Sequence, residues 1–178
     1  CQEKKENIMA KTFEKEMTIF EADTIASYYK KIRENQDTKN KFNVFSLATQ
    51  WNLKKNIDAL NKATASYNEF RTEKRQEIND RYFSDEMSIE TTIKQTDENG
   101  KEKEVPGRQV KEEYMESFHK ENEDLIAQLL QLSAEKVTVT MTPIDINKEI
   151  AQLEEKGDIA DIDINMDDLD FLDFFTEK

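Results

Sequence analysis

The chain has 178 residues, of which 37% are charged and 36% hydrophobic, so it is most simply one elongated domain with a thin core. Three glycines and two prolines provide few turns, which argues against a many-stranded sandwich or a doubly wound sheet and favours a few long helices. The formal net charge of −13 opposes direct binding to nucleic acid or anionic lipid. The expected partner is a protein with a basic or hydrophobic surface.

The negative charge is concentrated in residues 143–178, which we call the acidic tail. This segment contains 12 acidic and 3 basic residues, a net charge of −9, so the preceding 142 residues carry −4. No run of apolar residues approaches the length of about 18 that a transmembrane helix needs. The sequence therefore predicts no membrane span.

The first eight residues allow different interpretations. The codons for Lys4 to Ile8 can contain a purine-rich ribosome-binding sequence just before Met9, which indicates Met9 as the natural start. Residues 1–8 are then leader residues outside the domain, which spans residues 9–178. In the alternatives, Cys1 is the lipidated first residue of a surface lipoprotein, or the segment is a cloning remnant. A single cysteine predicts no disulfide within the chain.

The first predicted elements are a short strand and a short helix. Met17 and Ile19 alternate with polar residues, which predicts a strand over residues 15–20. Apolar residues at helical spacing from Ile25 onward predict a helix with Asp23 or Thr24 as its N-cap. Residues 34–41 have no apolar side chain and predict a solvated loop.

A run from Phe42 to Tyr82 without glycine or proline predicts a long helix. Its apolar stripe consists of Leu53, Ile57, Leu60, Ala63, Tyr67, Phe70, Ile78 and Tyr82. Apolar residues surround its first turns, which predicts that this end is covered on more than one side. They are Phe42, Val44, Phe45, Leu47, Ala48 and Trp51.

A β-hairpin is predicted after this helix. Met87 to Ile93 alternate with polar residues, Asp97 to Gly100 supply a turn, and residues 101–105 form the returning strand. Pro106-Gly107 is expected to end it. A lone ribbon is marginal in water, so its tip is expected to be mobile, and Asn99 and Gly100 are candidate interaction residues.

Helical spacing resumes over residues 110–132, and strict alternation over residues 137–142 predicts a strand that pairs with the N-terminal one. The predicted class is α+β, mostly α. A long antiparallel helical hairpin forms an arm (residues 53–132) with the β-hairpin at its tip. A small sheet and short helices form a base (residues 9–52 and 133–178).

The acidic tail is expected to contain a helix over residues 148–156, closed by Gly157, and a final helix capped by Asn165. The final helix is both acidic and apolar. It docks either on a partner or on the chain itself. Its candidate interaction residues are Asp167, Asp168, Asp170, Phe171 and Phe174.

Residues suited to catalysis are sparse. The only histidine, His119, is interpreted as a surface residue of a helix, and three scattered glycines cannot form a phosphate loop. Asp161, Asp163, Asn165 and Asp167 recur at alternate positions as in a calcium loop, but Met166 stands where glycine is required and Leu172 where a glutamate is required. We therefore expect no enzyme activity, no catalytic residue, no metal site and no cofactor. The aromatic residues Tyr28, Tyr29, Phe42, Phe45 and Trp51 could form a ligand pocket, but aromatics at helical spacing are usually core, and we interpret them as core.

The order of elements resembles small proteins encoded by phages and prophages of Gram-positive bacteria. The matching features are Trp51-Asn52-Leu53-Lys54-Lys55-Asn56, the arginine-containing stretch 67–82, the Asp-Glu-Asn-Gly turn at 97–100, the leucine-rich segment 125–132, the strand 137–141 and Leu-Asp-Phe-Leu at 169–172. The resemblance extends from Met9 onward. That family has no known function and no assigned catalytic residues, so it implies a phage context, in the cytoplasm of the host cell or with the virion.

The sequence favours a non-enzymatic accessory or assembly protein that acts by binding another protein. An alternative is an acidic inhibitor that mimics nucleic acid and blocks a DNA-binding or defence enzyme of the host. The net charge of −9 on the acidic tail is the reason for this alternative. The lipoprotein interpretation of Cys1 is the other alternative. The exposed part of the helical stripe also permits a homodimer.

Overall fold

The computed structural model describes residues 11–35, 40–158 and 162–178. The fold is α+β and mostly α, as predicted. Its elements are β1 (Phe13–Thr18), α1 (Ile19–Glu34), a 3-10 turn (Lys41–Val44), α2 (Leu47–Tyr82), β2 (Ser88–Thr96), β3 (Glu102–Val110), α3 (Glu112–Ser133), β4 (Lys136–Met141), α4 (Ile146–Glu155) and α5 (Met166–Asp173). The chain forms two compact units. Unit 1 comprises the described parts of Cys1–Ala65 and Ala134–Lys178, and unit 2 is Ser66–Ser133.

Unit 1 contains the pairing predicted between the N-terminal strand and the strand after the helical hairpin. β1 and β4 are antiparallel, with Met17 opposite Val137 and Phe13 opposite Met141. Alternate residues of the two strands point into a core that α1, α2 and α5 also line. The prediction of this pair is confirmed.

The start of α1 differs from the prediction. The helix begins directly after β1, because Thr18 and Glu21 form a capping box that satisfies the first backbone N–H groups. The Glu21 N–H donates to Thr18 Oγ1 at 3.1 Å, and the Thr18 N–H donates to Glu21 Oε2 at 2.7 Å. The predicted N-caps Asp23 and Thr24 were wrong, since the helix is capped by Thr18, five residues before Asp23.

The start of α2 also differs. The helix begins at Leu47, five residues later than predicted, because the chain first makes the 3-10 turn and Ser46 then accepts a hydrogen bond from the Thr49 N–H. Phe42 and Phe45 are buried, but Leu47 is 82% exposed and Trp51 58% exposed. Only part of the apolar cluster predicted at this end is therefore covered, since Val44, Leu47, Ala48 and Trp51 are exposed.

Unit 2 contains an antiparallel helical hairpin formed by the last part of α2 and by α3. The Tyr67 hydroxyl donates to the Leu129 carbonyl at 3.2 Å, and the rings of Tyr82 and Phe118 lie 5.2 Å apart. The buried apolar residues of this unit are Ile78, Tyr82, Val110, Leu125 and Leu129. Val110 belongs to β3, so the predicted helix starts two residues too early.

The β-hairpin of unit 2 is longer than predicted. Pro106 and Gly107 lie inside β3, opposite Thr92 and Thr91, and do not end the strand. A two-stranded ribbon leaves one side of each strand unpaired, so the missing N–H of proline is tolerated there. Gly107 leaves space for the Ile93 side chain, since a Cβ at residue 107 would lie 2.0 Å from Ile93 Cδ1.

The segments that complete unit 1 follow the predicted capping pattern. Asp145 caps α4 by accepting a hydrogen bond from the Lys148 N–H, so this helix begins two residues before the predicted Lys148. Gly157 follows α4 with a φ of 76°, the conformation expected of a glycine that ends a helix. Asn165 caps α5 as predicted. Asp161, a member of the calcium-like pattern, lies outside the described residues.

Candidate functional site

The five candidate residues of the acidic tail divide between the interior and the surface of unit 1. Asp168 is fully buried and Phe171 is 3% exposed, whereas Asp167 and Asp170 are exposed. Phe174 is half-buried, with the Lys15 ammonium 3.8 Å from its ring centroid. The helix therefore packs its apolar side on its own unit and presents carboxylates to solvent.

Asp168 is held by three donors. The Tyr28 hydroxyl donates to Oδ1 at 2.6 Å, Lys41 Nζ donates to Oδ2 at 2.6 Å, and the Asn165 N–H donates to Oδ2 at 2.9 Å. Burial acts to raise the pKa of this carboxyl, but these hydrogen bonds and the lysine charge outweigh it and hold the pKa below its ordinary value. Burial, followed by the hydrogen bond to Asp168, raises the pKa of Tyr28. Asp168 thus joins three segments of unit 1.

Glu149 is a second buried carboxylate, and the sequence did not reveal its role. It accepts hydrogen bonds from the backbone N–H and the hydroxyl of Ser46, at 3.0 and 2.6 Å, and from the Thr49 hydroxyl at 2.5 Å. Burial favours the neutral form, yet these donors lower the pKa of Glu149 below its ordinary value. A side chain of α4 therefore fixes the first turn of α2. Since the two partners are far apart in sequence, no local pattern could identify them.

An open cleft of about 660 Å³ lies beside α5 in unit 1, and we call it the acidic cleft. Apolar side chains of the β4–α4 connection, α4 and α5 form its floor, and carboxylates stand at its margin. Its lining residues are Pro143, Ile144, Asp145, Ile146, Asn147, Ile150, Leu169, Asp170, Asp173, Thr176 and Glu177.

A small pocket of about 150 Å³ lies against the same part of unit 1. All its lining residues are apolar, and two of them, Ile150 and Leu169, also line the acidic cleft. The remaining lining residues are Phe45, Leu153, Ile162 and Ile164. Ile150 and Leu169 therefore line both the acidic cleft and the apolar pocket.

At the start of α2, one exposed side of the helix carries two apolar residues followed by a charged one. Leu47 and Trp51 are four residues apart and so lie on one side of the helix, and Lys54 continues this side one turn later. Lys54 Nζ pairs with Asp58 Oδ2 at 2.7 Å. We call Leu47, Trp51 and Lys54 the tryptophan face. The sequence pattern contained these residues but assigned two of them to a covered cluster.

The two hairpin candidates lie in unit 2, whereas the tail candidates lie in unit 1. Asn99 and Gly100 are exposed, and Gly100 has a φ of 76°, which only glycine adopts without strain. Asp97 Oδ1 accepts hydrogen bonds from the N–H groups of Asn99 and Lys101 and so closes the turn. These contacts fix the conformation of the turn.

The sequence offered one histidine and one calcium-like pattern as candidate chemistry. His119 is exposed on α3, beside the Phe118 ring at 5.8 Å. Among the residues that the structure describes, no three His, Cys, Asp or Glu side chains are grouped to hold a metal ion. Unit 1 presents the exposed pair Leu47 and Trp51 and the exposed carboxylates of α5 to solvent.

No protein-family model matches the chain, and the searches of the curated proteins and of the solved structures found no match either. None of the helices within the described ranges has both the length and the apolar character needed to cross a membrane. The geometry of the described residues therefore provides the basis for a functional proposal.

Proposed function

We propose that this protein acts by binding another protein, as a non-enzymatic accessory or assembly factor encoded by a phage of a Gram-positive bacterium and working in the cytoplasm of its host. The observation that supports this proposal most directly is the tryptophan face. Trp51 is 58% exposed although it precedes a well-packed helical segment, and Leu47 beside it is 82% exposed. A tryptophan on a solvent face is typical of an interface residue.

Trp51 has no evident role in the core of unit 1. The buried residues of the same helix segment are Leu53, Ile57 and Leu60. At about 100° per residue, their side of the helix is roughly opposite to that of Leu47 and Trp51. The exposed pair therefore contributes little to folding, and its solvation is unfavourable unless a partner covers it.

The helix turn that carries the tryptophan face is held in a fixed conformation before any partner binds. Glu149 fixes the first turn of α2 through Ser46 and Thr49, so the helix that carries Trp51 loses little conformational entropy on binding. Such a helix suits an apolar groove on the partner. Lys54 at the margin already pairs with Asp58, so the contact relies on Leu47 and Trp51.

The test is affinity purification of the tagged protein from infected cells, comparing the wild type with Trp51→Ala. The substitution is expected to weaken partner binding at least about tenfold, since truncation of a central tryptophan commonly removes that much affinity. Binding of the purified partner is then measured by calorimetry.

Phe20→Ala is the matched control, because Phe20 is 59% exposed on a different helix of the same unit. It should leave partner binding unchanged, and both variants should keep the melting temperature of the wild type. Equal recovery of the partner by Trp51→Ala and wild type would contradict the proposal. Equal loss with both variants would also contradict it.

The exposed carboxylates of α5 favour a second candidate, an inhibitor that mimics nucleic acid. Asp167, Asp170 and Asp173 are all exposed while the apolar side of the helix is buried. Deleting the acidic tail does not test this idea, because it removes core residues such as Phe171. Substituting the three aspartates by asparagine should instead weaken inhibition of a host DNA-binding enzyme, most strongly at low salt. Undiminished inhibition would exclude this candidate.

A further inference from the structure

We infer that the acidic cleft binds a cationic, amphipathic peptide segment of a partner protein. An aliphatic side chain of this segment enters the small apolar pocket, and its lysine or arginine side chains pair with the carboxylates at the margin. This site is separate from the tryptophan face and uses different residues, so it extends the proposed function to a second binding surface.

The apolar part of the site has a suitable size. The pocket of about 150 Å³ shares Ile150 and Leu169 with the cleft. A cavity of about 150 Å³ lined by Leu, Ile and Phe is large enough for benzene, so it can hold a leucine or isoleucine side chain. The cleft of about 660 Å³ can hold the neighbouring residues of a peptide.

The charges at the margin of the cleft indicate that the partner segment is positively charged. Four carboxylates line the cleft: Asp145, Asp170, Asp173 and Glu177. Two lysines of the chain already pair there, Lys11 with Glu177 at 2.5 Å and Lys178 with Asp173 at 3.4 Å. The four carboxylates outnumber these two lysines, which complements a segment with cationic side chains.

The outward carboxylates of α5 differ in role from Asp168. Asp168 satisfies buried donors and is needed for the fold, whereas Asp170 and Asp173 are exposed and satisfy no buried donor that the structure describes. Exposed carboxylates beside an apolar floor contribute little to stability but select a basic partner. An amphipathic ligand with alternating cationic and aliphatic side chains matches both features.

The first experiment locates the site. The full chain, labelled with ¹⁵N, is titrated with a short synthetic peptide of alternating lysine and leucine blocks, and backbone amide shifts are followed by NMR. The largest shifts are expected at Asn147, Ile150 and Leu169. Shifts that concentrate in unit 2, or at Trp51, would overturn the inference. A peptide of the same charge with serine in place of leucine should bind at least about tenfold more weakly, because the pocket stays empty.

The second experiment removes charge from the margin without altering the core. Asp170→Asn/Asp173→Asn should weaken peptide binding about three- to tenfold at low salt, and the difference should shrink as salt rises. Glu73→Gln/Asp124→Asn makes the same change in net charge at exposed positions of unit 2 and should leave affinity within about twofold of wild type. Equal losses in the two variants would show unspecific attraction to an acidic protein and overturn the inference.

The two binding surfaces can be separated. Trp51→Ala should leave binding of the lysine–leucine peptide unchanged, and Asp170→Asn/Asp173→Asn should leave binding at the tryptophan face unchanged. Loss of peptide binding in Trp51→Ala would show that the peptide binds the tryptophan face, and would contradict the acidic cleft as its site. The proposal for the tryptophan face and the proposal for the acidic cleft can therefore be tested and rejected independently.

Discussion

Replacing Phe171 by alanine is expected to lower the free energy of unfolding of unit 1 by about 3–5 kcal/mol, the usual cost of removing a buried phenylalanine ring. Phe171 lies at the centre of the aromatic core. Its ring centroid is 5.6 Å from that of Phe42, 6.2 Å from that of Tyr29 and 5.2 Å from that of Phe175. Because α5 is short, loss of this ring should release the helix. Urea denaturation followed by circular dichroism measures the effect.

Trp51→Ala is the control for this measurement. It removes a larger ring from the solvent side of α2 and should change the free energy of unfolding by no more than about 0.5 kcal/mol. If Phe171→Ala kept full stability but lost partner binding, Phe171 would be a docking residue and the packing described for α5 would be wrong. The pair of variants thus separates a residue needed for folding from one needed for binding.

Elements determined by local patterns were predicted well from the sequence. The alternation over residues 137–142 was sufficient to predict β4, and Asn165 was identified as the cap of α5. The turn at Asp97 to Gly100 was found for the same reason. In each case the residues that determine the structure are neighbours in the chain, so composition and spacing contain the information.

The pairing of β1 with β4 was predicted, but side-chain contacts between distant residues were not. The capping of α2 by Glu149 and the pairing of Lys41 with Asp168 join residues about a hundred or more positions apart. Nothing in the local pattern distinguishes Glu149 or Asp168 from the exposed acids around them. The sequence alone therefore could not separate structural carboxylates from surface ones.

The exposure of the first turn of α2 illustrates the same difficulty for apolar residues. Phe45 and Trp51 were both assigned to a covered cluster, yet only Phe45 is buried. A pattern of apolar residues around a helix indicates that more than one side is apolar, but not which side a neighbour covers. The candidate tryptophan face could therefore be recognised only once the packing of α1, α4 and α5 was known.

The acidic tail was correctly recognised as both acidic and apolar, with docking on a partner or on the chain itself left open. The burial of Leu172 and Phe175 together with Phe171 places its apolar side in the core of unit 1. Its acidic side remains accessible at Asp167, Asp170 and Asp173. The apolar side of this segment is therefore already occupied within unit 1, and its carboxylates are the part that faces solvent.

Asp168→Ala is expected to destabilise unit 1 by about 3 kcal/mol, at the lower end of the cost of breaking a buried ion pair. The substitution leaves the Tyr28 hydroxyl and the Asn165 N–H without their acceptor, and Lys41 loses its counter-charge. Lys41 is partly exposed and can turn to water, which limits the loss. Asp167→Ala is the matched control in the same helical turn, and its effect should stay within about 0.5 kcal/mol. Equal effects of the two substitutions would contradict the role given to Asp168.

The pH dependence of unfolding gives this prediction a second readout. The pKa of Asp168 is lower in the folded chain than in the unfolded one, so its contribution to stability is complete above the unfolded value of about 4 and is lost as pH falls through the folded value. The free energy of unfolding of wild-type unit 1 should therefore fall steadily as the pH falls below about 5. Asp168→Asn should have a lower free energy of unfolding at neutral pH and a smaller decrease on acidification. Glu149 also has a lowered pKa and contributes in the same direction, so part of the slope should remain in Asp168→Asn and disappear when Glu149→Gln is added. An unchanged acid slope in the double variant would mean that other carboxylates control the acid stability of unit 1.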